Sequence, residues 1–453
     1  AHVSIEVSER LRDLANRTLS AFALRDVAAL DFRVGANDQV WFLSATAIPS
    51  FDPSGALFVA ARAVGFDYDA AVLAVLRSAA TRHDLLPLLD ATRPRTLKAR
   101  RAGLRVGLAF NMKRIASEGD DREAEYDGPE TIQAITDAIE SHGHVTVPLE
   151  ATPDFPRALM ASNVDVVFNI AEGMVGRSRE GQVPSLCELL GVPYTGSDSA
   201  TLSICLDKGL TKRVLADVDT PAFQVLVTGR EKLRPLRYPV IVKPNQEGTS
   251  KGITKTSVCD DETRVREVVR ELIERYGQPA LVEEYIAGRE LTVGLLGERR
   301  PRVLPPMEVV FLTQSDRPVY DYECKQHWQR HVRYECPARL TKSELRAVER
   351  ACRSTFMALG CRDVARVDLR LTDDGRVYVL EVNPLPGLTP DYSDLCLIAN
   401  GAKIDYRTLI AQILSGAIKR WQNRQRMGER ADGATNAPVS GDDASAPVIT
   451  APN

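Results

Sequence analysis

The chain is 453 residues long, 44% hydrophobic and 26% charged, with 29 Gly and 26 Pro; this excludes a fibrous or wholly disordered protein and leaves room for roughly three or four compact units. Its 58 Lys and Arg against 61 Asp and Glu give a formal charge of −3, so neither nucleic acid nor an anionic membrane is expected as the main partner, and an anionic ligand has to be held by locally placed cations. No apolar run approaches the ~18 residues that cross a bilayer.

In chain order, residues 1–86 come first, and they resemble a later part of the same chain. Arg25-Asp-Val-Ala-Ala-Leu-Asp31-Phe-Arg is matched by Arg362-Asp-Val-Ala-Arg-Val-Asp368-Leu-Arg, and Val40-Trp-Phe-Leu43 by Val377-Tyr-Val-Leu380. One inserted residue near 391–393 restores the match beyond Pro386. Both copies close on helical spacing, Val72, Val75, Leu76 and Ala79 answering Ile410, Ile413, Leu414 and Ala417. Residues 1–86 therefore read as a partial second copy of about 331–423. Position 1 is Ala rather than Met, and the expectation is a tandem protein whose front part is missing from this chain.

A basic Pro/Arg-rich linker is expected over 87–103. From 104 to 200 strand and helix alternate: a strand at 105–110, a helix at 129–139 opened by Pro129, a strand at 145–147, a helix at 156–160, a strand at 164–168 and a helix at 184–190. That alternation predicts a parallel, doubly wound sheet with its ligand loops after the strand C-termini. After Gln425 few large apolar residues remain, and 424–453 is expected to be a disordered tail. The eight cysteines begin only at Cys187 and form no C-x-x-C pair, which favours reduced thiols in the cytoplasm over a disulfide framework. Cys324-Lys-Gln-His327 is a two-ligand fragment without a partner pair, too little for a zinc site.

Neither G-x-x-x-x-G-K-[ST] nor G-x-G-x-x-G occurs, so phosphate binding, if present, uses another device. Tyr238-Pro-Val-Ile-Val-Lys243-Pro-Asn-Gln-Glu-Gly248-Thr-Ser-Lys-Gly252 reads as a strand ending in a lysine and a glycine-bearing turn that allows close backbone approach; alone it also fits a surface hairpin. Glu283 and Glu290 flank a turn at Gly288 and read either as acceptors for a nucleoside or as solvated strand-edge acids. Asp368, Glu381 and Asn383 fall on two strands joined by a turn at Asp374-Gly375. Glu381 and Asn383 share one face, which offers three oxygen ligands suited to Mg²⁺ with Arg366 alongside.

In this order the segments resemble the ATP-grasp superfamily, and within it the D-alanine–D-alanine ligase branch, over about 104–423. Leu190-Gly-Val-Pro-Tyr-Thr-Gly-Ser197, Leu206-Asp-Lys208-Gly-Leu-Thr-Lys212 and Tyr320-Asp-Tyr-Glu-Cys-Lys325 add to the match. The resemblance implies α/β and α+β architecture: a Rossmann-like substrate domain at 104–200, an ATP-grasp central lobe at 201–290 and a C-terminal lobe with the metal site at 291–423. It implies that Lys208 and Lys243 hold ATP phosphates under a loop carrying Gly248, Thr249 and Ser250. Glu283, Glu284 and Ile286 would meet adenine and Glu290 the ribose, while Asp368, Glu381 and Asn383 carry two Mg²⁺, for which Mn²⁺ can stand in. Catalysis would draw on Arg366, Thr249, Lys325 and Gly387, by way of an acyl phosphate attacked by an amine. The amino-acid substrates would be met by Glu125, Glu172, Gln326 and Ser393.

Departures from the family fall on the substrate side. Where its members usually carry His-Gly, this chain has Glu172-Gly173, and Gln326-His327 stands where Tyr is common. Thr249 replaces the loop serine and keeps its hydroxyl. In the first copy Ala29, Ser44, Thr46 and Ser50 stand at the positions of Arg366, Glu381, Asn383 and Gly387, and only Asp31 answers Asp368. That copy is expected to be a degenerate lobe without a magnesium site, serving packing or a homodimer contact. Three readings follow: a D-alanine–D-alanine-type ligase acting on small amino acids, a ligase for other amino acids or a natural-product peptide, and a catalytically silent scaffold.

Overall fold

A computed structural model describes residues 4–75, apart from 36, 53, 54, 69 and 73, and residues 103–435, apart from 115–120, 313–316, 322, 323, 325 and 326. The chain separates into two compact units at 98/99, within the stretch expected to be a linker. Each is described by itself.

The first unit holds α1 (Ile5–Ala21), β1 (Ala29–Val34), β2 (Val40–Thr46) and α2 (Ala56–Ala63). Ser4 caps α1 by accepting from the Val7 amide at 3.2 Å. β1 and β2 are antiparallel, with Ala29 opposite Thr46 and Asp31 opposite Ser44, and the register slips between Asp31 and Phe32. Phe58 is buried against Phe51 and Tyr68.

The second unit opens with β3 (Arg105–Phe110), α3 (Pro129–Ser141), β4 (Val145–Glu150), α4 (Phe155–Ser162), β5 (Val166–Asn169) and α5 (Gln182–Leu189). The strands form a parallel sheet in the order β4-β3-β5. Pro129 stands at the start of α3, where its missing N–H has no helical acceptor to lose. β3 is buried on both faces: Val106 and Leu108 pack with Ile135 and Ile139 of α3, and Ala109 packs with Phe155 and Leu159 of α4. Each expected element is present; β4 and α4 are longer than expected and the other bounds move by a residue or two.

Asp198 and Asp207 cap α6 (Ser199–Leu206) and α7 (Lys208–Val214) through the Thr201 and Leu210 amides. A four-stranded antiparallel sheet follows, β6 (Phe223–Leu226), β7 (Val240–Pro244), β8 (Val258–Cys259) and β9 (Ala280–Glu284), in the order β6-β9-β7-β8. It packs on α8 (Glu262–Tyr276), whose inward face is Val265, Val268, Val269 and Leu272.

The largest sheet runs β13-β12-β10-β14-β15, with β11 (Arg302–Val303) also on β10 (Arg289–Gly297); β12 is Met307–Phe311, β13 Val332–Glu335, β14 Asp363–Leu371 and β15 Val377–Asn383. One of its faces packs on α9 (Lys342–Ala358) through Val348, Cys352 and Phe356. The other packs on α10 (Asp394–Gly401) and α11 (Tyr406–Thr435) through Ile398, Ile410, Ile413 and Leu414. Burial of each such side chain contributes about 1.5–3 kcal/mol.

Three boundaries differ from expectation. The divisions placed at 200/201 and 290/291 cut α6 and β10, so the change from one sheet to the next falls instead between Glu284 and Arg289. α11 reaches Thr435 and takes in the first part of the stretch 424–453 expected to be irregular; 436–453 lie outside the described residues. Among the described residues no helix is long and apolar enough to cross a membrane, and all eight cysteines are free, seven of them buried.

Candidate active site

Two cavities meet in the second unit. The larger, about 920 Å³ and open to solvent, has the loop after β7 on one side and β10, β14 and β15 on the other; its walls include Lys243, Ser250, Glu283, Ile286, Glu290 and Asp368. The other, about 610 Å³, includes Glu125, Glu172, Glu180, Lys208, Gly248 and Gly387. Thr249, Arg366 and Glu381 line both.

The floor of the larger cavity is electropositive for a reason that β-pairing supplies. Lys243 ends β7 beside β9, where Glu283 stands on the paired strand, and Lys212 arrives from α7. Glu283 Oε1 lies 2.6 Å from Lys243 Nζ and Oε2 lies 2.8 Å from Lys212 Nζ, with all three side chains buried. Burial opposes the charge on Glu283, yet the two ammonium groups outweigh it and hold the carboxyl at about 2. Burial also lowers Lys212, while Glu283 offsets burial at Lys243 and raises it. Two cations on one carboxylate leave a surplus positive charge in a dry site, which suits phosphate oxygens.

The loop over this floor is conformationally strained. Thr249 (φ 52°) and Ser250 (φ 56°) are in the left-handed region without being glycine, at about 1–3 kcal/mol each. Ser250 Oγ donates to the Tyr320 carbonyl at 2.8 Å, and the Gly248 amide donates to Glu125 Oε1 at 2.5 Å. Those two bonds hold the loop across both cavities.

Across the cleft, β14 and β15 place Asp368 opposite Glu381 and Arg366 opposite Asn383. Arg366 donates to both oxygens of Asp368, at 3.0 and 2.8 Å, and the Asn383 amide and Thr292 hydroxyl donate to them at 3.0 and 2.6 Å. Glu381 Oε1 is 2.9 Å from Lys208 Nζ. Each carboxylate thus already holds a cation of the protein, and Asp368, Glu381 and Asn383 bring hard oxygen donors to one place, a set that fits Mg²⁺. Among the described residues no group of three Asp, Glu, His or Cys side chains forms a metal cluster; the third oxygen here is an amide.

Of the expected nucleotide residues, Lys243, Ser250, Glu283, Glu284, Ile286 and Glu290 line the larger cavity, whereas Lys208 and Gly248 line the smaller. Glu290 is engaged by Arg370 at 2.6 Å. Of the expected substrate residues, Glu125 and Glu172 line the smaller cavity. Ser393 lines neither: it precedes α10, and its hydroxyl accepts from the Thr389 amide at 3.0 Å. Lys325 and Gln326 lie outside the described residues.

Several residues escaped sequence reasoning. Arg179 sits 2.8 Å from Glu125 and 3.7 Å from Glu247 and donates to the Gln246 carbonyl, and Glu180 beside it is buried. Nothing in Ser178-Arg-Glu-Gly distinguishes it from a surface turn. Arg370 had a signal, because Arg366, Asp368 and Arg370 alternate along β14 and so share a face.

In its fold this chain is similar to the D-alanine–D-alanine ligase from Bacillus anthracis solved in complex with ATP (TM-score 0.56, 23% identity, 71% of this chain and all of that one) and to the ligase from Coxiella burnetii (TM-score 0.56, 19% identity, 74% of this chain and all of that one). Two lobes around a cleft, behind a parallel-sheet domain, are the architecture of ATP-grasp ligases, which form carbon–nitrogen bonds. A family model described as the D-ala D-ala ligase C-terminus matches residues 218–415. The D-alanine–D-alanine ligase of Thermotoga sp. (strain RQ2) is 35% identical over 63% of this chain and 91% of its own length. A protein of Sinorhizobium fredii named as uncharacterized, y4sG, is 35% identical over 64% of this chain and 87% of its own. The chain belongs to the D-alanine–D-alanine ligase family.

Proposed function

We propose that the chain joins two amino acids of the D-alanine type at the expense of ATP, releasing ADP and phosphate, in the cytoplasm and for peptidoglycan synthesis. The observation that carries this reading is the meeting of a cation-floored cleft and an acidic pocket at Thr249, Arg366 and Glu381. A phosphoryl group presented from the cleft and a carboxylate presented from the pocket would come together there.

The chemistry needs in-line positioning and charge neutralisation rather than a protein nucleophile. The first amino acid's carboxylate attacks the γ-phosphate and displaces ADP; the second amino acid's amine attacks the resulting acyl phosphate and displaces phosphate. Lys243 and Lys208 hold phosphate oxygens, and the 248–252 loop excludes water. Arg366 and the Gly387 backbone meet the developing oxyanion. Glu283 accepts from the adenine amino group, Glu284 and Ile286 frame the base, and Glu290 takes the ribose. Asp368, Glu381 and Asn383 are the residues that would hold two Mg²⁺ ions, or Mn²⁺ in their place; bound there, the metal neutralises charge on the transferring phosphoryl group. From the family resemblance alone, Lys325 would meet the phosphates and Gln326 the substrate.

A second reading, ligation of other amino acids, draws on Glu172 in the pocket wall. A substrate domain ahead of the two lobes is part of the proposal, as is 1–86 as a degenerate copy that serves packing or a homodimer contact. The register supports that copy: the slip between Asp31 and Phe32 falls where β14 slips between Asp368 and Leu369, and Asp31 faces Ser44 as Asp368 faces Glu381.

The test is phosphate release from Mg·ATP with a panel of amino acids that includes D-alanine. Release with D-alanine is expected. Absence of release with every amino acid, together with absence of Mg·ATP binding, refutes the ligase reading.

A further inference from the structure

The acidic pocket holds more carboxyl groups than its own cations pair. Glu125 is paired with Arg179 at 2.8 Å, Glu247 with Lys251 at 2.9 Å, and Glu381 with Lys208 at 2.9 Å. Glu172 and Glu180 line the same pocket, and among the described residues neither has an ion pair or a hydrogen bond from its side chain. Glu180 is only 9% exposed. A carboxylate so placed, aimed into a cavity and without a donor, costs free energy unless a ligand supplies the donor. Burial and mutual repulsion push both carboxyls above the usual carboxylate range, Glu172 chiefly through burial and then Glu180, and Glu180 chiefly through burial and then Glu125.

The two acids come from the two sides of one loop at the ligand end of the parallel sheet. Glu172 follows the C-terminus of β5, and Glu180 lies in the single turn Arg179–Gly181 just before α5. The α-ammonium of an amino-acid substrate offsets one negative charge, which leaves the second.

We propose that Glu172 and Glu180 select an amino acid whose side chain carries a second cation, a diamino acid of the lysine or ornithine type, in place of a neutral one. This rests on the ligase reading and names the substrate class of its acidic pocket. The side-chain ammonium donates to the carboxylate that the α-ammonium leaves unpaired, and the α-carboxylate is left facing Arg366, where it is phosphorylated. No additional bond is made or broken.

The experiment uses the full chain with Mg·ATP and compares D-lysine, D-ornithine and their uncharged analogue D-norleucine, with D-alanine as the second substrate. The expected kcat/KM for a diamino acid exceeds that for D-norleucine by about tenfold or more, the contribution of one hydrogen bond between charged groups. Replacing both acids (Glu172→Gln with Glu180→Gln) is expected to bring that ratio close to one. Glu180→Gln alone should lower it part of the way, and it serves if the double variant does not keep the parent melting temperature. A wild-type protein that uses D-norleucine or D-alanine as well as D-lysine overturns the proposal, and so does a preference that survives both substitutions. Should no amino acid release phosphate, the ligase reading fails separately; calorimetric titration of D-lysine and D-norleucine onto the Mg·ADP-loaded protein then decides, tighter D-lysine binding supporting the charge assignment and equal binding refuting it.

Discussion

Replacing Glu283 by Gln removes the carboxylate shared by Lys212 and Lys243 and keeps the shape of the side chain. Its carboxyl is held at about 2 against an ordinary 4.5, and at about 1.4 kcal/mol per pH unit that depression corresponds to about 3 kcal/mol of stabilisation. The figure agrees with the ~3–5 kcal/mol usual when one partner of a buried pair is removed. Lys212, already lowered by burial, can shed its proton in the variant, which limits the loss. The sign with pH is determined: a depressed carboxyl contributes its full stability above about 4.5 and loses it as pH falls toward 2. Urea unfolding of parent and Glu283→Gln, followed by tryptophan fluorescence, should therefore differ by about 3 kcal/mol from pH 5 to 8, and the gap should shrink below pH 4. A gap under ~1 kcal/mol at pH 7, or one that persists unchanged to pH 3, would refute the account of Glu283 as counter-ion to both lysines.

Glu381→Gln deletes a carboxylate common to both cavities, and steady-state phosphate release should fall by about 10² or more; unchanged turnover would contradict its assignment to the metal. Gly248→Ala would set a Cβ 2.6 Å from Glu125 Oε1, displacing the acid that holds Arg179, so KM for the amino acid should rise several-fold, by more than the Kd for ATP measured by calorimetry. In the first unit Asp31 is exposed and receives only the Ser44 hydroxyl among the bonds described, and Asp31→Asn should leave turnover within about twofold, since changes at exposed side chains usually cost within ~0.5 kcal/mol; a large loss would show that this unit takes part in catalysis.

The strands that carry the site were legible because their residues alternate. Glu381 and Asn383, two apart, share one face, and Asp374-Gly375 marks the hairpin turn, where Gly375 has φ 81°. Lys243, at the end of an apolar run, lines the cleft. Glu283 illustrates where such reading stops. Its sequence neighbours say that it ends a strand beside a turn, but its charge state is decided by lysines 71 and 40 positions away that α7 and β7 deliver to it. Arg179 and Glu180 went unread for the same reason: a short polar turn acquires its character from the Glu125 and Glu247 carboxylates brought to it by separate loops. Ser393 was placed by alignment near the substrate, whereas the structure uses its hydroxyl to close the turn before α10.

By itself the sequence determined the order of elements in 104–200, the alternation that builds their parallel sheet and the family, because these depend on local periodicity and on the chemistry of single side chains. The tertiary structure decided which charges neutralise one another. Burial turns Lys212, Lys243 and Glu283 into a fixed positive floor and leaves Glu172 and Glu180 without a counter-charge, and the low dielectric that makes such imbalances costly exists only once distant segments have closed around them.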